Sequence, residues 1–411
     1  MGGARAGRRR APGASATVRL VTARTSHESK VILVSTLARC VRARTEGTTR
    51  RSTAWSTLVL PSISSGGITR LCAFSFENTP ADGFALARFA VAGRPVVGVV
   101  VDGTAYPLGA APAPEYASVT SIEELLPEWD THVDRLHAWA GRLRAGSVAT
   151  LPITTGTADV LAPTRPAGIF QAAANYRKHV VDLMVASPRP EHRDLTEPER
   201  RAFATRMMDE RAASGTPTVF CGLPSSLSGP YDDVVIPHIT EQCDWELELA
   251  AVIGRPARYV SRDSALEFVA GYTIVNDITM RDRLYPSGDS ARGPDWLACK
   301  GAPTFLPVGP LVVPARYVPD PMALTITLRL NDVVMQHEAT ADMIFDLPRL
   351  IEHASRYARL LPGDLLLTGS PAGNGVHHGR FLQDGDVMEG RITGLGVQRT
   401  PAVAERRASA T

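Results

Sequence analysis

The segment Asp244-Trp-Glu-Leu-Glu-Leu-Ala-Ala-Val-Ile253 constrains the fold more than any other. Side chains of a strand alternate between its two faces. Asp244, Glu246 and Glu248 then share one face, and Trp245, Leu247 and Leu249 share the other. The run ends in a fully apolar stretch, so the strand is expected inside a sheet. At roughly 3.3 Å per residue, Glu246 and Glu248 lie about 6.6 Å apart along it and can lean towards a common point. Two carboxylates side by side in a core repel each other and are costly to bury. Either the face is solvated, or a divalent cation relieves both problems.

The run Gly271-Tyr-Thr-Ile-Val-Asn-Asp-Ile-Thr-Met-Arg-Asp282 favours the cation. An apolar strand there ends in Asn276-Asp277, and a strand end is a common place for a ligand. Three carboxylates, Glu246, Glu248 and Asp277, with no nearby His or Cys point to a hard ion. Mg²⁺ comes first and Mn²⁺ or Ca²⁺ next, with waters or substrate oxygens completing the shell.

A second constellation is Asn175-Tyr-Arg-Lys-His-Val-Val-Asp182. His179 and Asp182, at i and i+3, are neighbours on a helix face. A carboxylate beside an imidazole orients it and supports its proton uptake, which is how a water-activating base is built. The other histidines carry less. His337-Glu338 is not followed by the H-E-x-x-H pattern, and His377-His378 sits in a Gly-rich loop. Gly373-Asn-Gly375 lacks the dinucleotide-binding spacing, and no G-x-S-x-G occurs, which argues against a serine hydrolase.

The 411 residues are 44% hydrophobic and 21% charged, an ordinary globular composition. No run of about 18 apolar residues exists, so no membrane span is expected. The net charge of +2 hides an asymmetry. Residues 1–60 carry twelve Arg or Lys and two Glu, a net of +10, leaving 32 basic and 40 acidic groups, a net of −8, in the remainder. That acidic body argues against nucleic acid. Five scattered cysteines without a C-x-x-C pair fit free thiols in a reducing cytoplasm. Only three lysines stand against 41 arginines, and only five asparagines occur. Both residues use A-rich codons, so a GC-rich genome is inferred. Where one remains the site requires it, which draws attention to Asn175, Asn276 and Lys300.

Residues 1–70 are rich in Arg, Ser, Thr and Gly. An organellar transit peptide has that composition; a disordered extension, or a start codon placed too far upstream, is the reading preferred. Residues 84–160 read as a small α+β N-terminal domain. It has strands broken at Ala92-Gly-Arg-Pro95, and a helix opened by the capping box Ser121-Ile-Glu-Glu124. Residues 165–405 read as a β-rich domain with strands at 234–237, 245–253, 272–275, 306–313, 324–330 and 364–368. A helix over 347–360 stops at Leu361-Pro-Gly-Asp364. Residues 187–216 form a polar insertion whose helix is capped by Thr196-Glu-Pro-Glu199, either a lid or a plain surface insertion.

Taken in order, these motifs resemble the fumarylacetoacetate hydrolase family over residues 166–402. The set is Asn175-Tyr-x-x-His179, Pro224-Ser-Ser-Leu-x-Gly-Pro230, Glu246-x-Glu248, and Gly271-Tyr-Thr-x-x-Asn-Asp-x-Thr-x-Arg-Asp282. It continues with Lys300-Gly, Pro307-x-Gly-Pro310, Asn331-x-x-x-Met-Gln336, Leu361-Pro-Gly-Asp364 and Thr368-Gly-Ser-Pro-Ala-Gly373. The resemblance implies an α+β fold: a mixed β-roll catalytic domain with helices outside, usually dimeric, behind the small N-terminal domain. It implies Glu246, Glu248 and Asp277 as metal ligands, and His179, Asp182 and Lys300 as catalytic residues. Thr368, Gly369, Arg281 and Gln336 are implied as substrate-binding. The substrates implied are small 2-oxo or 2,4-dioxo acids.

Four positions depart from the family pattern. Asp182 stands where Glu is common, Gly222 where Lys is frequent, Pro303 where Asp is frequent, and Ser370 replaces a Thr. The reaction expected is metal-dependent hydrolysis of a carbon–carbon bond in a dioxo acid such as an acylpyruvate, through a metal-bound enolate. The alternative is isomerisation, decarboxylation or hydration of an oxo acid from aromatic-compound catabolism. A metal-stabilised binding protein without catalysis would not need His179, Asp182 and Lys300 together. A nucleic-acid-binding arm over residues 1–60 has charge but no motif.

Overall fold

The computed structural model describes residues 76–154, 158–186, 190–285 and 293–406, together with the backbone of 17–25 and 28–36. Two compact units divide the chain between Thr69 and Arg70. In the first, Thr17–Thr25 pairs antiparallel with Glu28–Thr36. These stretches are dense in Val, Ile and Thr, which suit a pleated strand, so they form a hairpin where disorder was expected. The rest of that extension lies outside the described residues.

The second unit is α+β, and its centre is a mixed six-stranded sheet. The strand order is Val313–Pro314, Val269–Asn276, Leu247–Ile253, Leu365–Leu367, Ile169–Ala173 and Thr218–Cys221. Neighbours run antiparallel except Leu365–Leu367 beside Ile169–Ala173. Every residue of Leu247–Ile253 and Val269–Asn276 is buried, so both faces of the central strands are covered. A five-stranded sheet lies on one side, in the order Val234–Ile236, Val397–Ala404, Val387–Ile392, Thr325–Leu330, Val333–Ala339.

Residues 84–161 supply a four-stranded antiparallel sheet and the Trp129–Arg144 helix, which buries Val133, Leu136, Trp139 and Ala140. This part shares a core with the central sheet: Phe84, Leu86 and Leu136 belong to the same apolar cluster as Val252, Val275 and Leu365. Leu86 and Val312 exchange backbone hydrogen bonds of 2.9 and 2.8 Å. Trp129 Nε1 donates to the Ala270 carbonyl at 2.9 Å. The expected boundary near residue 160 therefore separates sheets, not cores.

Local expectations are met unevenly. Glu124 does cap Thr120 and Ser121, but the α-helix begins only at Trp129, because Pro127 lies in the 3₁₀ turn before it. Thr196 and Glu199 form the reciprocal capping box of the Glu197–Ser214 helix. The strand expected over residues 306–313 is two short pieces, Leu306–Pro307 and Val313–Pro314, with Gly309 at φ 106° between them. The strand expected over 245–253 begins at Leu247, and Cys243–Asp244 pairs separately with Thr279–Met280.

Candidate active site

Glu246, Glu248 and Asp277 come together as expected, each buried and each offering an oxygen within 4.8 Å of the others. The backbone fixes them. Glu246 N donates to Asn276 Oδ1 at 2.9 Å, and Asp277 N donates to the Glu246 carbonyl at 2.8 Å, tying the two strand ends. Gly369 N donates to Glu248 Oε2 at 2.7 Å. Gly369 has φ 90°, a conformation glycine adopts without strain.

Two basic side chains enter the cluster. Lys300 Nζ donates to Glu246 Oε2 at 2.7 Å, to Thr279 Oγ1 at 2.6 Å, and to the Asp277 carboxylate. Arg281 donates from Nε to Asp244 Oδ2 at 2.7 Å and from Nη2 to Glu246 Oε1 at 2.5 Å. Asp244 also accepts from Gly375 N at 2.5 Å. It thus points with Glu246, as strand alternation predicts, but anchors Arg281 rather than joining the three carboxylates.

The charges divide unequally. Burial pushes the Glu246 carboxyl up, but Arg281 and Lys300 overcome that and hold it well below the usual carboxylate range. Burial, then Asp277 and Glu246, push Glu248 well above that range. Burial likewise raises Asp277, to about 6, against the pull of Lys300. Burial disfavours the charged form of Lys300, but Asp277 and Glu246 raise it further still. Glu248 is thus a buried acid whose nearest carboxylates repel it. The donor set is all oxygen, and a hard divalent cation fits it.

His179 is buried on the Arg177–Ala186 helix, and its Nδ1 has no hydrogen-bond partner among the described residues. Burial pushes it down to about 3, with Glu246 opposing, so it is a neutral imidazole able to accept a proton. Its expected dyad with Asp182 is not formed. Asp182 Oδ1 accepts from Arg201 Nη1 at 2.8 Å and Oδ2 from Lys178 Nζ at 3.1 Å. The physical reason is the Glu197–Ser214 helix, which packs on the His179 helix and brings Arg201 to the carboxylate. His179 instead meets His377, with ring centroids 5.1 Å apart.

The remaining expected substrate contacts have structural engagements. Gln336 is fully buried; its Oε1 accepts from Leu247 N at 3.2 Å, and its Nε2 donates to Ser370 Oγ and Pro371 O, both at 2.9 Å. It braces the Ser370 turn and has no free amide to offer a ligand. Thr368 Oγ1 donates to the Leu249 carbonyl at 3.0 Å. Asn175 joins Thr368 O and Phe345 through its Nδ2 and Oδ1. Sequence reasoning missed Thr279, although it lies two residues past Asp277, and it missed Gln171, whose amide helps hold Asp277 charged.

A core of opposed sheets carrying three convergent carboxylates, a buried lysine and a neutral histidine defines a metal-site enzyme fold. Residues 168–403 match the family described as fumarylacetoacetate (FAA) hydrolase C-terminal, and the chain belongs to that family. It is 38% identical over 262 residues to a 2,4-didehydro-3-deoxy-L-rhamnonate hydrolase of Sphingomonas sp. (strain SKA58), covering 62% of this chain and 80% of that protein. It is 39% identical over 183 residues to a mitochondrial oxaloacetate tautomerase of Bos taurus. That match covers 44% of this chain and spans 57% of the relative's length. The fold is similar to that of the fumarylacetoacetate hydrolase of Exiguobacterium antarcticum. The TM-score is 0.59 at 27% identity, over 79% of this chain and all of that one. These relatives are enzymes, a hydrolase and a tautomerase among them. No helix among the described residues is long and apolar enough to cross a membrane.

Proposed function

We propose that the chain is a divalent-metal-dependent hydrolase that cleaves a carbon–carbon bond in a 2,4-dioxo acid of the acylpyruvate kind. The observation that carries this reading is the buried Glu246, Glu248 and Asp277 cluster, beside an uncharged His179. These three carboxylates hold the ion, Mg²⁺ first and Mn²⁺ or Ca²⁺ next; when bound it supplies Lewis acidity to neighbouring oxygens of the substrate. His179 takes a proton from water at its free Nδ1 as the water oxygen bonds to the distal carbonyl carbon. The carbon–carbon bond then breaks, its electron pair leaves as an enolate, and the His179 proton returns to that carbon. Lys300 balances the negative charge on the enolate oxygen. Arg281 keeps Glu246 ionised and in place, and Gly369 N–H fixes Glu248. Thr368 and Gly369 line the turn that carries the substrate carboxylate.

A second reading keeps the enolate chemistry without hydrolysis: tautomerisation, isomerisation, decarboxylation or hydration of an oxo acid in aromatic-compound catabolism. The observation favouring it is that Asp182 faces Arg201 and Lys178 rather than His179. A proton shuttle needs no activated water, so a lone imidazole suffices for it. The reading also takes the chain as a cytoplasmic homodimer with a small-molecule substrate. The free thiols Cys221, Cys243 and Cys299 fit a reducing compartment.

The test is turnover of acylpyruvates and of oxaloacetate by the purified protein, before and after EDTA, then with Mg²⁺ restored. Loss with EDTA and recovery with Mg²⁺ are expected. Pyruvate plus a carboxylic acid marks hydrolysis, and an oxo–enol change without fragmentation marks the second reading. Full activity in EDTA contradicts both.

A further inference from the structure

Gln171 carries polar atoms that the mechanism above does not use. It sits on the central Ile169–Ala173 strand, paired with Leu367 on one side and Phe220 on the other, and is 2% exposed. Its amide lies against the Asp277 carboxylate and favours that group's charged form. A carboxylate only accepts hydrogen bonds, so the amide nitrogen faces Asp277 and Oε1 faces away. That Oε1 is buried and has no partner among the described residues.

What Oε1 does face is Gly222. A Cβ built on Gly222 would stand 2.5 Å from Gln171 Oε1. Gly222 cannot satisfy it, because its own N–H donates to the Ile169 carbonyl at 2.9 Å. The absence of a side chain at residue 222 is therefore what leaves room for the amide. The wall beside it is aromatic. Phe220 stacks on Trp296 with ring centroids 3.9 Å apart, and Lys300 Nζ lies 5.9 Å from the Phe220 ring centre. Aromatic carbon and an ammonium leave this buried acceptor without a complement except a donor brought by a ligand.

We propose that Gln171 is the specificity-determining residue of this site, accepting a hydrogen bond through Oε1 from a hydroxyl group on the carbon chain of the substrate. The substrate class is then a hydroxylated oxo acid, rather than an oxo acid whose chain carries only carbonyl and carboxylate acceptors. A buried acceptor answered by one ligand and left unanswered by another discriminates between them. This rests on the reading of the carboxylate cluster as the binding site of an oxo acid.

The experiment is calorimetric titration of the Mg²⁺-loaded full chain with matched ligands: 4-hydroxy-2-oxobutyrate against 2-oxobutyrate, and hydroxypyruvate against pyruvate. Wild type is expected to bind the better hydroxylated member on the order of tenfold more tightly than its plain partner. Gln171→Leu is expected to bring that ratio close to one. Gly222→Ala, which pushes the amide aside without touching Gln171 itself, is expected to do the same. A purely structural role for Gln171 would weaken both ligands together and keep the ratio, which overturns the proposal. A ratio near one in wild type, with plain oxo acids still bound, also overturns it and leaves the oxo-acid reading standing. Failure of every oxo acid to bind defeats both together.

Discussion

Lys300 Nζ stands 2.7 Å from Glu246 Oε2 and also holds the Asp277 carboxylate, so one ammonium bridges two of the three acids of the cluster. It compensates charge that the cation would otherwise meet alone. Lys300→Met removes a positive charge from beside the cation. Mg²⁺ is then expected to bind tighter, on the order of tenfold, while turnover falls by about a hundredfold or more. Calorimetry and steady-state kinetics on one preparation check the split. A lysine that merely supported the fold would show both values worsening together.

The position of Asp182 sets the next expectation. Its oxygens belong to Arg201 and Lys178, so Asp182→Asn is expected to leave turnover within about threefold. His179→Ala is expected to lower it by about a hundredfold or more. Equal losses in the two variants would show that the pair acts as a dyad during turnover.

Metal binding is expected to depend on pH. Burial raises both Glu248 and Asp277, the latter to about 6. An acid with a raised constant keeps its proton in the cation-free protein, and a bound cation must displace it. Mg²⁺ affinity therefore falls as pH drops through about 6, and binding near neutral pH releases protons. Titrations in buffers of different ionisation heat measure that release; binding without it contradicts the charge assignment.

How much of this was legible in the sequence follows from the range of each interaction. Glu246 and Glu248 are two residues apart on one strand, and Asp277 ends the strand paired with it, so periodicity and a strand end were enough. Lys300 stood out because lysine is so rare in the chain. Asp182 was misread because its partner Arg201 arrives on a separate helix. Gln336 was recognisable as part of a motif, but its duty, bracing Leu247 and the Ser370 turn, is set by strands far apart in sequence. Gln171 gave no signal, because its importance comes from Gly222 and Asp277, which only the sheet brings near. The joining of residues 84–161 to the central core was hidden for the same reason.

Asp244 offers a test of stability. It is fully buried and its partner Arg281 nearly so, at 0% and 14% side-chain exposure. Asp244→Asn leaves that guanidinium half-paired in the core, at a cost of about 3–5 kcal/mol. Urea unfolding of the cation-free protein measures it, and a loss below about 1 kcal/mol would show that Glu246 alone satisfies Arg281.

The central claim is that Glu246, Glu248 and Asp277 bind one hard divalent cation. Titration of the EDTA-treated, desalted protein with Mn²⁺, followed by electron paramagnetic resonance of the free ion, tests it most directly. One Mn²⁺ bound per chain is predicted, displaced by Mg²⁺ and lost in Glu248→Ala with the fold retained by circular dichroism. No bound Mn²⁺ in the wild type, or undiminished binding in Glu248→Ala, would contradict the account.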